Sequence, residues 1–305
     1  MQIAVIGAGG VGGYYGGLLA RAGHRVTLLA RGEHLTAIRQ RGLEIRLPDE
    51  QFVAEVSAAE SANEIGETEL AIVAVKSYSL EEVAPTIRLL SEGDAIVLPL
   101  LNGVDTVQRL VAFSVAEAQI LGGLTTISVV KIAPGIIERR SSFAKMTVGE
   151  LGGKISQRVE RIVAAFTDAG VDAQASADIT LDLWRKFAFI ATVAAACGLS
   201  RGPIGAVREA QFGNLLMERS VREIAAVGRA RGVAFSEQDI EQTLTTIAGL
   251  APEIKPSFLL DLERGGPTEL DIFSGAVARM GREFKIATPL HDTATAAISA
   301  TLTRT

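Results

Sequence analysis

Lys186 is the candidate proton donor of this chain. It lies in Leu183-Trp184-Arg185-Lys186-Phe187-Ala188-Phe189, near the start of an otherwise apolar helical run. Desolvation there lowers an ammonium's pKa towards neutrality, which suits a general acid. The same placement also fits a lysine whose stem lies on apolar surface with its head in water. On spacing alone that second reading is the stronger. The three histidines stand elsewhere: His24 in the turn after the first helix, His34 at the start of the next, His291 at the start of the last. A reaction that leaves an anionic oxygen needs a proton donor beside it, and with the histidines so placed a lysine is the better candidate for that task.

The second chemical feature is Gly7-Ala8-Gly9-Gly10-Val11-Gly12, directly after the first strand and opening a helix. Gly7 permits a tight turn, Gly9 lets backbone approach a pyrophosphate, and Gly12 allows close helix–strand packing. The helix N-terminus adds free N–H groups and a positive dipole end. The second strand ends Leu28-Leu29-Ala30-Arg31-Gly32. An acid at that tip would accept from a ribose 2′-hydroxyl; Arg31 pairs better with a 2′-phosphate, which argues for NADPH over NADH. A solvated Arg31, with Glu33 as the ribose acceptor, is the alternative. Lys76, in Val75-Lys76-Ser77, and Asn102, in Leu101-Asn102-Gly103, follow further strands and are suited either to ligand contacts or to loop solvation and capping.

These groups must be positioned by two kinds of architecture. Candidate strands Ile3–Ile6, Val26–Ala30, Leu70–Val75 and Ala95–Leu98 alternate with helical segments Val11–Ala22, Glu33–Arg41, Leu80–Leu90 and Val104–Leu110. That alternation implies βαβ units, a doubly wound α/β sheet of the Rossmann type. Short strands around Thr125–Ile132, Ile136–Arg139 and Lys145–Val148 predict an antiparallel extension of the sheet. Beyond about residue 175 helical periodicity takes over, in Ile179–Cys197, Gly213–Arg231, Ser236–Leu250, Thr268–Met280 and Pro289–Thr301. A dinucleotide-binding domain over residues 1–173 and an all-helical substrate and catalytic domain over residues 174–305 are therefore expected.

Composition narrows the function. The 305 residues are 48% hydrophobic and 21% charged, with a formal net charge of −5, acids and bases being interspersed. There is no basic footprint for nucleic acid and no polybasic membrane patch. The single cysteine, Cys197, excludes an intrachain disulfide and fits a reducing cytoplasm, as a small buried filler. The apolar run Phe187 to Leu199 is shorter than the roughly 20 residues of a bilayer span and reads as a buried core helix. The N-terminal segment reads as a strand and not as a signal peptide. A soluble cytoplasmic protein is expected, with no metal ion; small apolar residues on the helical domain suit a homodimer interface as well as a core.

The glycine run, Arg31, Val75-Lys76-Ser77, Asn102-Gly103, Trp184-Arg185-Lys186, Ser257 and Pro267-Thr268-Glu269-Leu270-Asp271 occur in an order and spacing that resembles the ketopantoate reductase (2-dehydropantoate 2-reductase) family. The resemblance covers essentially the whole chain. It implies NADPH/NADP+ as cofactor, a small 2-oxo acid as substrate, a place in pantothenate synthesis, and a substrate site in the cleft between the domains. It further implies that Lys186 is the general acid, that Glu269 assists at the same centre, that Ser257 contacts the substrate carboxylate, and that Lys76 and Asn102 line the nicotinamide side. In isolation Glu269 and Asp271 read as first-turn helix acids, and Ser257 as a cap after Pro256.

The departures carry weight too. The family's catalytic helix commonly has asparagines four and eight positions after the lysine, and its late helix an Asn-Gly; here those places hold Ile190, Ala194 and Ser274. A pocket that loses amides favours substrates lacking a hydroxyl. Three readings follow: a ketopantoate reductase with altered contacts; a sister oxidoreductase for a more apolar 2-oxo or 2-hydroxy acid; and a non-catalytic NADP-binding regulatory protein, against which the joint retention of Lys186 and Glu269 argues.

Overall fold

The computed structural model describes residues 1–302, which divide into two compact units: residues 1–101 with 106–179, and residues 102–105 with 180 onwards. The expected division at 173/174 falls inside a strand, Asp172–Ala175, which pairs with the first unit. The last three residues of the expected second domain, 303–305, lie outside the described residues.

The first unit contains, in chain order, β1 (Gln2–Ile6), α1 (Gly10–Arg21), β2 (Arg25–Leu29), α2 (Gly32–Arg41), β3 (Leu43–Arg46), β4 (Gln51–Ala54), β5 (Ser57–Ala59), β6 (Leu70–Val73), α3 (Leu80–Glu92), β7 (Ile96–Pro99), α4 (Thr106–Ala112), β8 (Gly122–Ala133), β9 (Ile136–Gly149), α5 (Gln157–Asp168) and β10 (Asp172–Ala175). One sheet is wholly parallel, in the order β5-β2-β1-β6-β7. Its strands β6 and β7 are buried at every position, as parallel strands covered on both faces must be. The order reverses at β1, so the carboxyl ends of β1, β2 and β6 open onto a crevice of the kind that binds ligands in such sheets.

The antiparallel extension is present as a mixed sheet of its own, in the order β10-β9-β3-β4 with β8 on β9. The segments Ile136–Arg139 and Lys145–Val148 are two ends of one strand. The polar stretch between them interrupts the apolar pattern, but pairing with β8 carries the strand through, with irregularities near Ile127/Val129 and Lys131/Ala133.

The second unit comprises α6 (Ile179–Ser200), α7 (Ile204–Glu209), α8 (Gly213–Ala230), α9 (Glu237–Ala248), α10 (Ser257–Arg264), α11 (Ser274–Phe284) and α12 (Pro289–Leu302). At 22 residues α6 is long and apolar enough to cross a membrane by length and composition, but it is mostly buried inside its own unit. Small residues let other helices close on it. A Cβ at Gly228 of α8 would lie 2.9 Å from the Trp184 ring, and one at Gly198 would lie 2.8 Å from Phe258 of α10. The single helix predicted over Thr268–Met280 is broken. Phe273 (φ −96°, ψ −104°) separates a 3₁₀ turn, Leu270–Ile272, from α11.

Candidate active site

The glycine turn has the geometry its sequence implies. Gly7 sits at φ +103°, and a Cβ there would crowd Val75 and the Ala74 backbone at 2.8–2.9 Å. A Cβ on Gly12 would overlap the Gly7 carbonyl oxygen, so α1 can pack this close to β1 only with glycine there. Around Gly9 the corresponding space is open. The first intrahelical bond of α1 runs from Gly13 N to Gly9 O at 2.8 Å, leaving the preceding N–H groups to an anion at the helix mouth. Gly10 lies against the backbone of β8, a Cβ there falling 2.6 Å from Val129 O. Together with Ala8 and Val11, this turn fits a dinucleotide's diphosphate.

The turn forms one wall of a cavity of about 300 Å³ whose other walls come from Leu29 to Arg31, His34, Glu60, Ser61, Val75, Glu82, Val83, Thr86 and Lys131. Most of these follow the carboxyl ends of β1, β2, β5 and β6. Arg31 is exposed and engaged: its guanidinium donates to both carboxylate oxygens of Glu82 on α3, at 2.5 and 3.3 Å. Glu33 is exposed in the first turn of α2, and the carboxylates lining the cavity are Glu60 and Glu82. Lys76, exposed, caps the short 3₁₀ turn after β6.

The second unit holds the lysine. Lys186 lies one turn beyond Asp182 on α6, and its Nζ donates to Asn102 Oδ1 at 3.1 Å. Burial pushes its pKa down to about 8, while the nearby Glu269 carboxylate pulls the other way. Glu269 itself is only 4% exposed. It caps the 3₁₀ turn rather than standing in the first turn of a helix, because the break at Phe273 turns the chain there. The loop 102–105 is held to α11 by a second link, since Arg279 bonds both Asp271 and, at 3.4 Å, Asp105. Gly103, at φ +101°, lets the loop pass 3.5 Å from Ile272. The result is an ammonium with a neutral hydrogen-bond acceptor and one nearby carboxylate, its proton held less tightly than an exposed lysine's.

The structure thus joins Lys186 with Asn102 and Glu269. It places Ser257 at the first position of α10, exposed; Pro256 is the cap residue there, without a side-chain capping bond. Of the three departures, Ile190 lies four residues after Lys186 on the same face and is partly buried. Ala194 is packed inside the helical core at 2% exposure. Ser274, also interior, bonds His291 Nδ1 at 3.2 Å. Those two positions are therefore filled by core packing. His34 and Lys131, on the cavity wall, were not singled out by the sequence; the only signal was that His34 follows Arg31 at the head of α2. Cys197 is buried, which raises its thiol pKa to about 11.

A parallel sheet with a glycine turn is the architecture of a dinucleotide-binding unit, and the helical unit holds a partly desolvated lysine. The family model "Ketopantoate reductase PanE/ApbA" matches residues 3–153 and its C-terminal counterpart matches residues 178–301. This chain belongs to the ketopantoate reductase family. It is 32% identical to a 2-dehydropantoate 2-reductase of Halobacterium salinarum over 292 residues, 95% of each chain. Among solved structures it superposes on a PanE/ApbA family ketopantoate reductase from Ralstonia eutropha JMP134 with a TM-score of 0.90 and 27% identity, covering 100% of this chain and 99% of the other. Its fold is also that of a D-mandelate dehydrogenase solved with NADH and anilino(oxo)acetate, at a TM-score of 0.88 and 23% identity over 99% of both chains.

Proposed function

We propose that this chain reduces a small 2-oxo acid to the 2-hydroxy acid with NADPH, as 2-dehydropantoate 2-reductases do, in the cytoplasm and for pantothenate synthesis. The observation that carries the reading is the placement of Lys186, an ammonium drawn into the helical unit and bonded to Asn102, with the buried Glu269 carboxylate nearby. The first unit serves as the dinucleotide-binding domain and the helical unit as the catalytic one. A bound nicotinamide supplies the hydride. Lys186 protonates the oxygen that becomes negative as the 2-oxo carbon is reduced, and Glu269 keeps part of the proton's affinity on the lysine. Ser257 and Lys76 are the candidate partners of the substrate carboxylate. Arg31 at the tip of β2 is the candidate partner of a 2′-phosphate, which would compete with Glu82 for its guanidinium.

Ile190 favours a second reading, a sister enzyme for a more apolar 2-oxo or 2-hydroxy acid. It presents a partly buried aliphatic side chain one turn from Lys186, where an amide would serve a hydroxylated substrate.

The test follows NADPH and NADH absorbance with ketopantoate and a panel of aliphatic and aromatic 2-oxo acids, for the native chain and Lys186→Ala. Turnover that falls about 10²–10⁴-fold in the variant supports the assignment. Preference for acids without a hydroxyl selects the second reading. Tight NADPH binding with no turnover of any acid would leave a binding protein and sink both.

A further inference from the structure

His34 sits at the meeting point of three segments of the first unit: the glycine turn, the head of α2 and the turn between β8 and β9. Its side chain is almost wholly buried, at 7% exposure, and it belongs to the wall of the dinucleotide cavity. Each ring nitrogen has one backbone partner. Gly135 N lies 2.8 Å from Nδ1, and Ala8 O lies 2.7 Å from Nε2.

Those two partners leave one protonation state. An amide N–H can only donate, so Nδ1 must carry a lone pair. A carbonyl oxygen can only accept, so Nε2 must carry the proton. Imidazolium would set an N–H on Nδ1 against the Gly135 N–H, and the other neutral tautomer would break both bonds. Burial, together with the nearby Lys131 cation, holds the His34 pKa below its ordinary value, in keeping with a neutral ring.

We propose that His34 is a positioning residue for dinucleotide binding: its neutral imidazole, protonated on Nε2, ties the Ala8 carbonyl of the glycine turn to the β8–β9 turn and so fixes the direction of the Ala8–Gly9 peptide. The peptide is planar and trans, so holding the carbonyl of Ala8 sets the opposed direction of the Gly9 N–H. Gly9 is the cap of α1, where the turn faces a diphosphate. The glycines cannot supply this restraint themselves, because they permit many conformations. A side chain reaching from 26 residues away supplies it, and its other nitrogen is anchored to a backbone 101 residues away. The proposal rests on the reading of this unit as a dinucleotide-binding domain.

The two bonds are separable by substitution. A glutamine can place an amide N–H near the Nε2 position and keep the Ala8 bond; an asparagine can place its oxygen near Nδ1 and keep the Gly135 bond; phenylalanine keeps neither. Dinucleotide affinity is measured directly, by titrating NADPH and NADH into each full-length variant, so the result does not depend on the substrate. His34→Phe is expected to weaken binding about tenfold or more, as the loss of a restraint of one to two hydrogen bonds implies. His34→Gln should recover most of that loss and His34→Asn little of it. Equal binding by all variants, or rescue by Asn and not by Gln, overturns the proposal. A native chain that binds neither dinucleotide overturns the underlying reading as well.

A measurement on the native chain covers the case in which substitutions unfold it. With ¹⁵N-labelled histidine, the His34 ring should show a proton-bearing Nε2 and a bare Nδ1 at pH 7, before and after NADPH is added. A ring protonated on Nδ1, or an imidazolium, would sink the idea.

Discussion

Lys186 Nζ donates to the side-chain oxygen of Asn102 at 3.1 Å, joining α6 to the loop after β7 across 84 residues of sequence. The partner is a neutral amide, so it orients the ammonium without adding a full charge to hold the proton. Desolvation lowers the pKa to about 8, opposed by the Glu269 carboxylate.

The reductive rate should carry this value as a single limb. A general-acid role for Lys186 makes its protonated form the active one, so kcat/KM for reduction should be level below about pH 8 and fall about tenfold per unit above it. In Glu269→Gln the attraction that raises the pKa is gone, so the limb should move to lower pH. Stopped-flow or steady-state pH profiles check both, and an unmoved limb in the variant would remove Glu269 from the proton's surroundings.

Changes at Asn102 should shift the same limb in opposite directions. Asn102→Asp puts a carboxylate against the ammonium and raises its pKa, moving the limb above pH 8. Asn102→Ala removes an acceptor from the charged form and moves it down. Two shifts of the same sign would show that Asn102 acts on something other than Lys186.

Cofactor preference should turn on Arg31 and its clamp. Arg31→Ala is expected to weaken NADPH binding about 10- to 100-fold, the range of a charge-assisted contact, with NADH affinity little changed. Glu82→Gln releases the guanidinium from its bidentate partner and should tighten NADPH selectively. Equal losses for both dinucleotides in Arg31→Ala would argue against a 2′-phosphate site.

His291 makes stability depend on pH. It is fully buried, bonded to Ser274 and Ser220, with its pKa pushed down by burial to about 4 from the ordinary 6.5. The folded state holds it neutral while the unfolded chain protonates it below pH 6.5. The contribution is therefore present above pH 6.5 and is lost as pH falls from 6.5 towards 4, by about 2 kcal/mol between pH 7 and pH 5. Urea unfolding at those two pH values, for the native chain and His291→Asn, should show a shallower loss in the variant. Equal losses would mean that the imidazole is protonated in the fold.

What the amino-acid order determined by itself is what short-range pattern can carry. The glycine run needed only a strand before it and a helix after it, and β1, α1, β2, β6 and β7 lie within a few residues of their expected places. Lys186 was visible as a charge in an apolar run. Tertiary structure decided the rest. The strands β3, β4 and β5 are three or four residues long and partly polar, too short for a period to declare itself, and they exist because β2, β9 and each other complete their hydrogen bonds. The break at Phe273 that brings Glu269 off a helix, the clamp of Arg31 by Glu82, and the two bonds of His34 all join residues by packing rather than by spacing. Hydrophobic period records which face of an element is buried; it holds no record of which distant group meets that face. That is why the pattern showed Lys186 only as a charge in an apolar run, while its bond to Asn102 appeared only when the chain closed on itself.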